Sequence, residues 1–213
     1  MLRLRRAALA AIALAAVASA LDAQPASIDP WSTLEQLRRA LSDAGPLRGD
    51  FVQTYTPAGF ASGETESGRI AASLPDCMRW DYLIPYRKSF LVCGSRAWSW
   101  VEGEPSGRRI TIDARNETGL DLLLLRTGEL EKRYRAQASR LADGGTELTL
   151  EPLDSSADLV VANLSLTPGG ERISALDYRD REGNVTSFRF SNWMPLADAE
   201  GFAPPAEVEW TDP

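Results

Sequence analysis

Between residues 48 and 191 apolar side chains recur at every second position, and turn residues cut the alternation into short pieces. A period of two fits half-buried β-strands, whose side chains point alternately to two faces. Candidate strands fall near 48–56, 65–73, 77–84, 87–94, 97–102 and 107–112. A second series falls near 134–141, 146–152, 159–167, 171–179 and 184–191. Asp143-Gly144-Gly145, Pro168-Gly169-Gly170 and Glu182-Gly183-Asn184 mark turns in the second series. Strands this close together predict one antiparallel meander of about eleven strands, a mainly β fold built as a large curved sheet or barrel.

Two stretches break the pattern. Ser32 followed by Glu35 fits a capping box; Leu34, Leu37 and Leu41 then recur at helical spacing until Gly45-Pro46. The second stretch, 118–126, opens with Thr118 as a cap and Asp121 in the first turn, then runs through Leu122, Leu123, Leu124 and Leu125. It predicts a short, very apolar helix pressed against the sheet. Near the end, Pro204-Pro205, Val208 and Trp210 suggest an extended segment along one sheet edge.

The chain of 213 residues contains no histidine, which excludes Ser-His-Asp and Cys-His triads and histidine metal sites. Two cysteines alone hold neither structural zinc nor an iron–sulfur cluster. Nucleophile-elbow, Walker and dinucleotide-binding patterns are missing, and Glu64/Glu66 is a chance pair among 30 carboxylates. No enzyme activity, cofactor or metal is expected. An acidic chain is also a poor match for nucleic acid. Arg38-Arg39 and Arg108-Arg109 read as solvated charge, with an anionic partner as the second reading.

Residues 1–20 read as a signal peptide: Arg3, Arg5 and Arg6, an apolar run from Ala7 to Val17, then Ala18-Ser19-Ala20. Cleavage is expected after Ala20 or, second, after Ala23, leaving 21–213 as one domain in the bacterial periplasm. Losing three arginines takes 23 basic residues to 20 against 30 acidic, a mature net charge of −10. An oxidising compartment permits a disulfide. Cys77 and Cys93 lie equally far from Pro85, the centre of a turn sequence between two strands, so an antiparallel hairpin sets them face to face. Two buried free thiols are the alternative.

Aromatic residues concentrate on what the alternation makes one face. Met78, Trp80 and Tyr82 share it, with Phe90 and Val92 opposite, Trp98 and Trp100 on the next strand, Phe188 and Phe190 on the last, and Phe51 and Tyr55 on the first. The ordinary reading of such a face is a core. Two apolar helices are little cover for so broad a sheet, however, and an unfilled remainder is an apolar cavity.

The order of several motifs resembles a known family. Phe51-Val52-Gln53-Thr54 is followed by Gly68, then Pro75-Asp76-Cys77-Met78-Arg79-Trp80-Asp81-Tyr82-Leu83-Ile84-Pro85, Leu91-Val92-Cys93-Gly94 and Trp98. The leucine-rich helix, Ser187-Phe188 and Pro204-Pro205-Ala206-Glu207-Val208 complete the series. In this the chain is similar to the periplasmic outer-membrane lipoprotein carrier (LolA) family. The resemblance implies an unclosed antiparallel β-barrel of eleven strands, with helices as a lid over an apolar cavity. It implies a monomeric carrier of acylated lipoproteins that loads at an inner-membrane lipoprotein-releasing transporter and unloads at an outer-membrane acceptor. Phe51, Met78, Trp80, Tyr82, Phe90, Val92, Trp98, Trp100, Phe188 and Phe190 are then the expected cavity, and Leu122, Leu123 and Leu125 its lid. Family members often carry arginine before the first proline of the Arg-Trp motif; here that residue is Leu74. The cysteine pair is outside the family pattern. A periplasmic lipid-sensing or regulatory domain on the same fold is the alternative. A lipid-anchored acceptor would need a cysteine at the mature start.

Overall fold

The computed structural model describes residues 28–113, 122, 126–197 and 199–212. The signal-peptide reading, Leu123, Leu125 and most of the leucine-rich helix lie outside those residues.

Helix α1 (Pro30–Ala44) begins earlier than Ser32 suggests. Asp29 is the cap: its carboxylate accepts from the Ser32 amide at 2.6 Å. Pro30 takes the first helical position, where a missing N–H costs nothing. Leu34, Leu37 and Leu41 form the buried stripe, and Gly45, at φ 69°, ends the helix in a conformation that favours glycine.

The strands follow the alternation to within a few residues. They are β1 (Leu47–Thr56), β2 (Glu64–Ser73), β3 (Cys77–Ile84), β4 (Lys88–Cys93), β5 (Arg96–Val101) and β6 (Ser106–Thr111). After a one-turn helix α2 (Thr127–Leu130) come β7 (Tyr134–Arg140), β8 (Thr146–Pro152), β9 (Leu159–Leu166), β10 (Ile173–Asp180) and β11 (Val185–Pro195). A 3-10 turn (Ala199–Phe202) leads to a twelfth strand, β12 (Glu209–Thr211), which runs parallel to β6 along the edge.

The connectivity differs from a single meander. The sheet order is β12-β6-β5-β4-β3-β2-β1-β11-β10-β9-β8-β7. Two meanders are therefore joined by their outer members, β1 against β11, and β6 does not pair with β7. The physical reason is the connection between β6 and β7. An antiparallel hairpin needs a short loop, and here a segment containing helical residues intervenes. β7 and β12 each keep one free side, so the sheet is unclosed.

The sheet curls around α1. Met78 of β3 and Leu148 of β8, far apart in the strand order, belong to one buried cluster with Leu34, Leu37 and Leu41. Burying such leucines stabilises by roughly 1.5–3 kcal/mol each. A smaller second core lies on the other face: Leu91, Trp100 and Val208, flanked by Trp98, Phe202 and Trp210.

Candidate functional site

The first strands build the site through a gap. Phe51 of β1 and Tyr82 of β3 both face Gly68, which occupies the intervening position on β2. With no side chain between them, the two rings meet edge to face at 4.9 Å across the strand. A Cβ on Gly68 would collide with the Asp81 carbonyl oxygen, so no other residue fits. The Tyr82 hydroxyl donates to the Gln53 side-chain oxygen, two residues along β1 from Phe51. Burial, then Glu66 nearby, pushes the Tyr82 phenol above its ordinary range and keeps it a neutral donor. Lys88 lies 4.6 Å over the same ring and pairs with Glu66 at 2.8 Å. The scattered Phe-x-Gln, Gly68 and Trp-x-Tyr motifs thus form a single cluster.

Next to it the inner face runs on, uncovered by any of the described residues. Trp80 pairs with Phe90 and Met78 with Val92. Phe90 in turn faces Ser99, and Val92 faces Ala97. Ala97 faces Ile110, and Ser99 faces Arg108. Most of these residues, with Tyr82, Ile112 and Phe188 of β11, line a cavity of about 510 Å³; Met78 lies behind it. That is within the range of small-molecule sites, roughly 300–1,000 Å³. Phe90 and Ile110 are each 39% exposed, which for large apolar groups on this wall marks surface that the described residues leave unfilled.

The expected site residues divide into three groups. Trp80, Tyr82, Phe90, Val92 and Phe188 line the cavity. Phe51 and Met78 are buried in the main core behind it, while Phe190 stacks on Phe188 at 5.9 Å and packs against the same core. Trp100 requires a correction, because it faces the other side, and Trp98 is shared between the two faces. Trp98 pairs with Leu91 and Trp100 with Ser89, and both belong to the second core. Trp98 also lines the cavity, between Ala97 and Ser99 in sequence. Trp100 meets Trp210 edge to face at 5.8 Å, and Arg79 lies 5.3 Å over its ring. Arg79 also donates to the Gly201 carbonyl at 3.2 Å. These tryptophans therefore anchor the C-terminal segment. The signal for the right face was in the sequence: a two-residue Gly94-Ser95 turn sets Cys93 against Arg96, and so puts Ala97 and Ser99 on the Val92 face. Ala97, Ser99, Arg108, Ile110 and Ile112 are the lining residues that aromatic content alone misses.

Cys77 and Cys93 are bonded, with Cα atoms 4.2 Å apart, the short spacing of a non-hydrogen-bonded antiparallel pair. By strand parity they lie away from the cavity, since Met78 and Val92 face it.

A second cleft, about 340 Å³, separates α1 from α2. Thr127 donates to Glu35 at 2.8 Å, and this bond, followed by Arg39, holds the Glu35 carboxyl below its ordinary range. Arg38 donates to the carbonyl of Leu122, a helical and buried residue, at 3.0 Å. Leu74 lines this cleft and packs against the main core.

A family model described as outer membrane lipoprotein carrier protein LolA matches residues 42–203. The chain belongs to the LolA family. A carrier from Xanthomonas axonopodis pv. citri is 29% identical over 184 residues, 84% of each chain. One from Chromobacterium violaceum is 28% identical over 199 residues, 90% of this chain and 93% of that one. Among solved structures, an uncharacterized conserved protein from Thermus thermophilus aligns with a TM-score of 0.56 at 12% identity, covering 85% of this chain and 98% of the other. MucB aligns with a TM-score of 0.51 at 16% identity, covering 87% of this chain and 66% of MucB. These two likenesses concern the fold. LolA proteins are periplasmic lipoprotein carriers, binding and transport proteins rather than enzymes. Among the described residues no helix is long and apolar enough to cross a membrane.

Proposed function

We propose that this LolA-family protein collects acylated lipoproteins at the inner membrane, holds their acyl chains against the wall formed by β3, β4, β5, β6 and β11, and delivers them to the outer membrane. The observation that carries the reading is the apolar wall that the described residues leave uncovered, with Phe90 and Ile110 on the cavity. Each methylene withdrawn from water is worth roughly 0.8 kcal/mol, so two or three long chains free in the periplasm would cost on the order of tens of kcal/mol. A soluble shuttle must hide most of that length, yet hold it loosely enough to let go.

Residues 1–20 direct export and are removed after Ala20 or Ala23, and the mature protein works as a monomer. Its partners are an inner-membrane lipoprotein-releasing transporter and an outer-membrane acceptor. Leu122, with Leu123 and Leu125 beside it in sequence, closes the cavity when it is empty and moves when cargo enters. The Arg38 bond to the Leu122 carbonyl supports that role, because it ties the closing segment to α1.

The test is to incubate purified protein with spheroplasts and identify by mass spectrometry what it releases. Acylated lipoproteins are the expected product. Release of nothing would overturn the carrier reading and favour a regulatory domain on this fold.

A further inference from the structure

On the strands that build the cavity wall, most cations are already matched. Lys88 pairs with Glu66 at 2.8 Å, Arg79 with Asp81 at 2.9 Å and Arg109 with Asp212 at 2.8 Å. Arg108 is different. It is exposed, its side chain makes no hydrogen bond or ion pair among the described residues, and it lines the apolar cavity. Its register partner is Ser99, a half-buried hydroxyl on the same wall. Beside them stand Ile110, Ala97 and Phe90, all apolar.

An unmatched guanidinium next to a hydroxyl, at the border of an apolar trough, has the polarity of an anionic amphiphile in reverse. Arginine presents a planar fork of donors suited to carboxylate and phosphate, and charge-assisted bonds to it are about twice as strong as neutral ones. A chain lying along Phe90 and Ile110 would carry its head to this point.

We propose that Arg108, with Ser99, forms an anion-recognising post in the acyl cavity, so that the protein binds acyl chains ending in a negative charge in preference to neutral ones. The ligand class is an acyl chain with a carboxylate or phosphate head, from a free fatty acid or a lysophospholipid. The proposal rests on the cavity being an acyl site, and adds to that reading a choice of head group.

The test is displacement of a neutral fluorescent lipid from the full protein by three competitors below their micellar concentrations: palmitate, lysophosphatidylglycerol and monopalmitoylglycerol. The native protein should bind the better of the two anionic competitors about tenfold more tightly than the neutral one. Which of the two wins identifies the source of the anion. Arg108→Ala should bring that ratio close to one, with the larger loss falling on the anionic competitors, and Arg108→Lys should keep part of it. The preference should shrink with added salt, since the guanidinium is exposed. Equal binding of anionic and neutral competitors by the native protein overturns this proposal alone, as does a preference that survives Arg108→Ala. Failure of all three lipids to bind overturns it together with the acyl-cavity reading.

Discussion

Replacing both Cys77 and Cys93 with serine separates what staples the sheet from what binds lipid. The bridge closes a loop of sequence separation 16 in the unfolded chain. The loss of conformational freedom for a ring of that size corresponds to about 3 kcal/mol of stability in the chain-entropy treatment. For a domain of this size each kcal/mol moves the thermal midpoint by about 2–4 °C, so the double variant should melt about 6–12 °C lower. The native protein under reducing conditions should fall by a similar amount. Lipid uptake at 25 °C should not change. Five further residue pairs from Met78↔Val92 to Tyr82↔Lys88 still fix the β3–β4 register, and the cysteines point away from the cavity wall. Calorimetry with paired uptake measurements makes the comparison. A midpoint shift under about 2 °C would refute the loop-closure reasoning. Lost uptake in a variant that is still folded would show that the bridge shapes the cavity, contrary to the parity argument.

Ala97→Trp should fill the wall opposite Val92 and Ile110, and if it displaces four methylenes of ligand it should weaken acyl binding by about 3 kcal/mol, or over a hundredfold, with little loss of stability; unchanged binding would place the acyl chain elsewhere. Arg38→Met removes the donor to the Leu122 carbonyl, a charge-assisted bond worth about 1.5–3 kcal/mol, and should speed hydrogen exchange around residue 122 by at least tenfold; exchange equal to the native protein's would argue against a tether. Glu35 has its carboxyl held below the ordinary value of 4.5 by the Thr127 hydroxyl. Its stabilising contribution is therefore present above that value and lost as the pH falls through the lowered one, so acid should loosen α2 from α1. Glu35→Gln should flatten this dependence when stability is followed against pH, and an unaltered profile would exclude the Glu35–Thr127 contact as its source.

Local pattern carries far into this fold. The strand positions, the buried stripe of Leu34, Leu37 and Leu41 and the Cys77–Cys93 pairing all follow from spacing and turn chemistry, because each depends on neighbours close in the chain. The pairing of β1 with β11 does not follow, because no short-range signal relates residues as distant as Phe51 and Phe190. The start of α1 is ambiguous in sequence because Ser32 and Asp29 are both competent cap residues, and only the adjacent Pro30 favours the earlier one. At the site, aromatic content draws Trp98 and Trp100 onto the cavity face, while hairpin parity assigns them to the outer core. Arg108 is legible as a charge; that it stands on the apolar wall depends on setting β5 and β6 onto the correct face.

The seam between β1 and β11 has a consequence for when the protein becomes competent. Across it, Asn192 donates to Asp50, 142 positions earlier in the chain. Each meander is built from local hairpins and forms fast, whereas contacts of such long range are slow to find. Phe188, the part of the cavity wall contributed by β11, joins the wall only when that seam closes. A chain emerging N-terminus first therefore passes through every earlier stage with the β3–β6 side of the trough lacking Phe188, and with one raw strand edge. The trough is complete only in the last act of assembly, when β11 adds Phe188 to a wall whose other side chains β3 to β6 and the adjoining Ile112 have already supplied.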